Sequence, residues 1–144
     1  MSMEINRLDK RFLEILVRDL EKYDEFWDEK VLRDEFESEN SDYFVLVDGE
    51  DVYGFGGLWF NLDEAHVMNI AVRKDLRRNG YGSEILKFLI DVANERGKGC
   101  VTLEVRENNL AAIGLYEKMG FVVAGRRSRY YENGMDALIM TKFF

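Results

Sequence analysis

Met68-Asn69-Ile70-Ala71-Val72 is an apolar run; Arg77-Arg78-Asn79-Gly80-Tyr81-Gly82 follows it, and a helical pattern begins near Ser83. Strand, basic glycine-bearing loop and helix in that order place unpaired backbone N–H groups around an anion. The first turn of a helix carries free donors and partial positive charge. Glycine permits close approach and φ > 0. Arg73, Lys74, Arg77 and Arg78 are expected to add mobile positive charge. The segment therefore reads as a phosphate cradle, although neither the GxxxxGK[ST] nor the GxGxxG spacing is present. The plainer alternative is an exposed turn that needs glycine only for its geometry.

Outward from this loop, composition narrows the classes. The chain has 144 residues, 47% hydrophobic and 33% charged, which fits one globular domain over residues 1–144. Its longest apolar run, Tyr43 to Val47, falls far short of the ~18 residues of a membrane span. No signal-peptide pattern opens the sequence. A single cysteine, Cys100, excludes an internal disulfide and fits a reducing, cytoplasmic setting; it reads as a buried inert thiol. The single His66 argues against a histidine metal site or a His-dependent triad, and no metal is expected. A net charge of −8 argues against nucleic acid as a direct partner. Residues 19–42 hold 11 acidic and 3 basic side chains, so this stretch accounts for the whole net charge. It reads either as a solvated face or as a field that attracts a basic substrate.

Periodicity supplies the remaining elements. Ile5 fits a first edge strand. Phe12, Leu13, Leu16, Val17 and Leu20 have helical spacing, and Asp28 is an N-cap candidate for a short helix turning Val31, Leu32 and Phe36 inward. Tyr43–Val47 and Val52–Phe60 read as strands around Asp48-Gly49, a hairpin signal. Gly54, Gly56 and Gly57 point to a bulge or a tight backbone contact. A third strand spans Ala65–Val72. The helix after the loop places Ile85, Leu86, Leu89, Ile90 and Ala93 on one face and ends at Gly97 and Gly99. Cys100–Arg106 is a strand. Leu110, Ile113, Leu115, Tyr116 and Met119 belong to a further helix that Asn109 would cap. Two strands flank Asn133-Gly134. The order β-α-α-β-β-β-α-β-α-β-β implies an α/β (α+β) fold with a mixed, mostly antiparallel sheet of about seven strands and about four helices.

That order, with Arg77-x-x-Gly80-x-Gly82 between strand and helix, resembles the GCN5-related N-acetyltransferase (GNAT) superfamily. The family signature there is Q/R-x-x-G-x-G/A. Leu62-Asp63-Glu64-Ala65 to Asn69-Ile70-Ala71-Val72, Leu103-Glu104-Val105-Arg106-x-x-Asn109-x-Ala111-Ala112-Ile113-x-Leu115-Tyr116-Glu117 and Arg126-Arg127-x-x-Tyr130-Tyr131 resemble the RimI-type ribosomal-protein-alanine N-acetyltransferases. Phe26-Trp27-x-Glu29-Lys30 resembles their first inter-helix region. One departure is Arg73-Lys74, where many relatives carry proline.

The resemblance implies an acetyl-CoA-dependent N-acetyltransferase. Ile70, Ala71 and Val72 would position the acetyl arm through their backbone. Arg78, Asn79, Gly80, Tyr81, Gly82 and Ser83 would hold the pyrophosphate, with Arg77 supporting the turn. Asn109 would contact the cofactor by its amide. Glu104 is implied as general base through water; from spacing alone it is a carboxylate paired with Arg106. Tyr116 is implied as the acid towards the CoA thiolate, its alternative a half-buried packing aromatic. Tyr130 and Tyr131 are implied in peptide binding, the alternative being cross-strand packing. The implied acceptor is the N-terminal α-amine of a protein, a ribosomal protein, attacked directly in a ternary complex. Two other readings remain open: a small-amine acetyltransferase of polyamine or aminoglycoside type, and a non-catalytic acetyl-CoA-binding sensor. Oligomeric state is not legible.

Overall fold

A computed structural model describes residues 3–23, 28–130 and 133–144. Seven strands form one sheet: β1 (Met3–Arg7), β2 (Ser41–Asp48), β3 (Asp51–Asn61), β4 (Glu64–Val72), β5 (Cys100–Arg106), β6 (Val122–Arg127) and β7 (Ala137–Phe143). The helices are α1 (Lys10–Arg18), α2 (Glu29–Glu37), α3 (Tyr81–Glu95) and α4 (Leu110–Lys118), with single 3-10 turns at Leu20–Lys22 and Lys74–Leu76. The spatial order is β1-β2-β3-β4-β5-β7-β6. Among the described strands only β4 and β5 run parallel, because α3 returns the chain to the starting end of the sheet.

The run Tyr43–Val47 is buried on both faces of the sheet by strand alternation. Tyr43, Val45 and Val47 join Phe12, Leu13, Leu16, Leu32 and Phe55 under α1 and α2. Phe44 and Leu46 join Leu58, Ile85, Leu86, Leu89, Val101, Leu103 and Met140 under α3. Each such Leu or Phe contributes about 1.5–3 kcal/mol on burial. The side chain of Asp9 accepts from Phe12 N at 2.9 Å, and that of Asp28 from Val31 N at 2.8 Å, so both short helices start at aspartate caps. Val31 itself is 40% exposed, so only Leu32 and, partly, Phe36 face inward.

The β3 glycines are spacers. A Cβ on Gly54 would meet the Ala71 carbonyl, one on Gly56 would meet Ile85, and one on Gly57 would meet the Tyr43 ring. The β3–β4 register shifts between Gly57 and Leu58, where Gly57 faces Asn69 and Leu58 faces Val67. This leaves Met68 as the extra residue of a bulge.

Part of the acidic stretch is paired. Arg33 holds Glu14 and Glu29 at 2.8 Å each, Lys30 holds Asp34 at 2.7 Å, and both Arg7 and Arg96 reach Asp42. Helix α4 lies lower on the core than its apolar spacing suggests: Leu110 and Leu115 are exposed, while Ala112, Ile113, Tyr116 and Met119 are partly buried against the α3 side.

Candidate active site

The site begins where the sheet opens. The parallel ladder between β4 and β5 runs from Glu64–Cys100 to His66–Thr102. Beyond it, among the described residues, the two strands diverge: Asn69–Val72 pair only with β3, and Leu103–Arg106 only with β7. The split leaves one side of β4 without backbone partners.

At the far end of β4 the basic loop curls over the strand. Arg78 is left-handed, with φ of 69°, and Gly80 has φ of 79° at the N-cap of α3. That cap has no side-chain acceptor. The first bond of α3 runs from Glu84 N to Gly80 O at 3.1 Å, so the N–H groups of Tyr81, Gly82 and Ser83 precede the helical ladder. Asn79 Nδ2 donates to Leu76 O at 2.8 Å, and Arg77 Nε donates to Val72 O at 3.4 Å, binding the loop to the strand end. Ile70, Ala71, Val72, Leu76, Arg77, Arg78, Gly80, Tyr81 and Gly82 enclose a depression of about 380 Å³. A Cβ on Gly82 would come no nearer than 3.8 Å to any atom there. Open space, uncapped amides and exposed Arg78 fit a phosphate-bearing ligand. Arg73 does not contribute mobile charge. Its side chain is 12% exposed, and the guanidinium forks to Asp51 and Asp75, both at 2.8 Å.

Glu104 lies on the opposite side of the split, on the β5 face that turns away from Leu103 and Val105. It belongs to a groove of about 880 Å³ lined by Trp59, His66, Met68, Asn69, Arg127 and Tyr130 among others. Its ionic partner is Arg127 of β6, with Nε 3.1 Å from Oε1. That partner lies two strands away in the order β5-β7-β6. Tyr116 is partly buried on α4, with its ring 6.0 Å from that of Phe121. Burial pushes its phenol pKa up, which keeps the hydroxyl protonated. The Asn109 side chain accepts from Ala112 N at 3.2 Å, which makes it the N-cap of α4. Tyr130 is 51% exposed, and its ring lies 5.5 Å from the Arg127 guanidinium carbon. This contact places Tyr130 on the wall of the groove beside Arg127. Tyr131, Phe26 and Trp27 lie outside the described residues. Burial raises the Cys100 thiol pKa, aided by Glu64 and Asp63, which disfavours a thiolate.

The family model "Acetyltransferase (GNAT) family" matches residues 10–121. The chain belongs to the GNAT family. A Bacillus subtilis relative is 35% identical over 99 residues, 68% of this GNAT chain and 66% of its own length. The ribosomal protein bS18-alanine N-acetyltransferase of Escherichia coli is 42% identical over 100 residues, 67% of this chain and 68% of its own. The chain thus spans about two thirds of the length of the curated relatives it matches. The crystal structure of the ribosomal-protein-S18-alanine N-acetyltransferase from Escherichia coli superposes with a TM-score of 0.86 at 35% identity, covering 99% of this chain and 94% of that one. A chain of the NatC complex bound to Gag peptide and CoA has a TM-score of 0.78 at 21% identity, covering 100% and 99%; this is a likeness of fold alone.

Three further residues of this groove are Arg127, Trp59 and Asn69. Arg127 has no local signal of its own in the sequence, because its approach to Glu104 depends on β6 and β5 both flanking β7. Trp59 lies within the Val52–Phe60 strand pattern, which by itself marks no site. Asn69 carried a signal, as the polar residue in an apolar run beside a bulge. Its side chain donates to Tyr43 OH at 2.9 Å. No helix among the described residues is long and apolar enough to cross a membrane.

Proposed function

We propose that this GNAT chain, acting as one domain over residues 1–144, transfers acetyl from acetyl-CoA to the N-terminal α-amine of a protein, with a ribosomal protein as the physiological target. The observation that carries the reading is the divergence of β4 and β5 after His66. It leaves the uncapped α3 terminus and the β4 edge on one side and the Glu104 groove on the other. A thioester donor and an amine acceptor entering from opposite sides would meet at the split. The Escherichia coli relative is a ribosomal protein bS18-alanine N-acetyltransferase, which supports this acceptor.

The bound thioester supplies an acyl group already activated for attack. The residues supply the rest. The N–H groups of Tyr81, Gly82 and Ser83, with Arg78 and Asn79, hold the pyrophosphate, while Arg77 keeps the loop against Val72. Backbone groups of Ile70, Ala71 and Val72 align the acyl arm, and an N–H there stabilises charge on the carbonyl oxygen. Asn109 adds an amide contact while capping α4. Glu104, through water, takes the proton that the α-ammonium must lose. A peptide α-amine has a pKa of about 8 against about 10.4 for lysine, so a carboxylate base has the easier task at an N-terminus. The amine nitrogen bonds to the acyl carbon and, as the C–S bond breaks, Tyr116 OH gives its proton to the departing sulfur; the second nitrogen proton passes through water to the tyrosinate, leaving the amide and the CoA thiol. Tyr130 and Tyr131 line the peptide's path. The high thiol pKa of Cys100 favours direct attack over an acyl-cysteine. The reaction takes place in the cytoplasm, with no direct nucleic-acid or membrane partner.

The test is CoA release from acetyl-CoA with two peptide panels. One has free N-termini beginning Ala, Ser, Met, Gly or Thr; the other has blocked N-termini and an internal lysine. Mass spectrometry locates the acetyl group. Acetylation of free α-amines alone is expected. Acetyl-CoA binding without turnover on either panel would move the reading to a small-amine acetyltransferase or a sensor.

A further inference from the structure

A chain of polar groups runs from the surface of α2 to the centre of the split. Tyr43 OH lies 3.3 Å from Glu35 Oε2 and 2.9 Å from Asn69 Nδ2. Tyr43 is 4% exposed, and its ring occupies the slot left by the missing side chain of Gly57. Gly57 is also the residue facing Asn69 across the β3–β4 ladder. The phenol is thus anchored directly beside the β4 bulge.

This chain has a defined polarity. An ionised carboxylate only accepts, so Glu35 must receive the single phenol proton. The phenol oxygen then offers only lone pairs to Asn69, so the amide end facing Tyr43 must be the NH₂ donor. The carbonyl Oδ1 is therefore the end turned away from Tyr43. Asn69 lines the groove that holds Glu104, and the bond to Tyr43 is the one hydrogen bond its side chain makes among the described residues. Burial, with Glu35 beside it, raises the Tyr43 phenol pKa, so the arrangement persists over the neutral and mildly alkaline range.

We infer that Asn69 is a substrate-binding residue, whose side-chain carbonyl accepts an N–H of the acceptor amine, and that Tyr43 and Glu35 are positioning residues that hold the amide in that orientation. The inference rests on the α-amine reading above. The chemistry suits the task. Once Glu104 has drawn one proton through water, the nucleophile keeps two N–H groups and must aim its lone pair at the acyl carbon. An amide carbonyl fixes one N–H without competing for the proton, as a carboxylate there would.

Steady-state kinetics on the best free-amine peptide provide the test. Asn69→Ala is expected to raise the peptide KM about tenfold or more, the scale of a hydrogen bond to a charged or reacting group. The KM for acetyl-CoA should stay within about twofold of the parent. Tyr43→Phe keeps the ring in its slot and removes the hydroxyl. It should produce a smaller rise in the same constant, and the double variant should be no worse than Asn69→Ala alone, because both act through one contact. A parent that does not acetylate α-amines removes the functional reading, and this inference with it. With an active parent, unchanged peptide constants in Tyr43→Phe, losses that multiply in the double variant, or an equal loss in acetyl-CoA KM would overturn the assignment of Asn69.

Discussion

Arg127 Nε lies 3.1 Å from Glu104 Oε1, although the two side chains come from β6 and β5 with β7 between them. The guanidinium also faces the Tyr130 ring, so one cation links the carboxylate assigned as base to the groove wall. A carboxylate held from one side keeps its other oxygen available to water.

Replacing that carboxylate separates its chemistry from binding. Glu104→Gln keeps the shape and should lower kcat about 10²- to 10⁴-fold, the usual worth of a positioned general base. Acetyl-CoA affinity by calorimetry should match the parent, since the phosphate depression lies across the split. Parental turnover at every pH would exclude Glu104 as base.

Arg78 combines an exposed charge with a left-handed backbone, φ 69°. A non-glycine residue there costs about 1–2 kcal/mol, and glycine removes that cost while adding roughly 0.5–1 kcal/mol of chain entropy to the unfolded state. Arg78→Gly should therefore keep or slightly raise Tm while weakening acetyl-CoA binding. Calorimetric scans and titrations on one preparation read both. Unaltered acetyl-CoA affinity would remove Arg78 from the phosphate site.

Lys74 is the second residue of the Arg73-Lys74 pair that leaves β4. Arg73 has φ −51° and ψ 139°, a conformation compatible with a following proline, and Lys74 opens the 3-10 turn. Lys74→Pro should stabilise the protein by about 0.4–1 kcal/mol by restricting the unfolded chain. Arg73→Pro would delete the bond from Arg73 N to Tyr53 O at 3.0 Å and the clamp onto Asp51 and Asp75, and should destabilise. Urea midpoints of the two variants should move in opposite directions.

Stability against pH should be a plateau with two shoulders. Burial raises the phenol pKa values of Tyr23, Tyr43 and Tyr116. A group raised on folding stabilises fully below its unfolded value, about 10 for tyrosine, and loses that contribution as pH climbs through the folded value. Hydrogen bonds from Arg18 and Arg73 lower the carboxyl pKa values of Asp19 and Asp75. Their contribution is present above about 3.9 and fades as pH falls further. Tm should vary little between these limits and fall outside both; a maximum confined to mildly acidic pH would contradict the assignment.

Most of the fold was legible because its signals are local. The 2-residue alternation of Tyr43–Val47, the aspartate caps and the Arg77–Gly82 loop each need only neighbours in sequence. The misreadings arose where burial depends on partners far along the chain. Val31 has apolar spacing that turns it inward, yet it is 40% exposed while Leu32 beside it on α2 is buried. The same limit hid the partner of Glu104. Strand parity shows which face a side chain takes; it does not show that β7 will insert between β5 and β6 and bring Arg127 over that face.

The split between β4 and β5 also predicts how amide protons should exchange with solvent. From Asn69 to Val72, the amides aimed away from β3 have no strand to shield them, although they sit in the middle of the sheet. They should take up deuterium at rates typical of an edge, while amides of β2 and β3 remain among the slowest. A ligand seated along that free edge would slow them, and by mass action would raise the melting temperature with its concentration. Occupancy of the split should thus be readable in the backbone itself, before any acetyl group has moved.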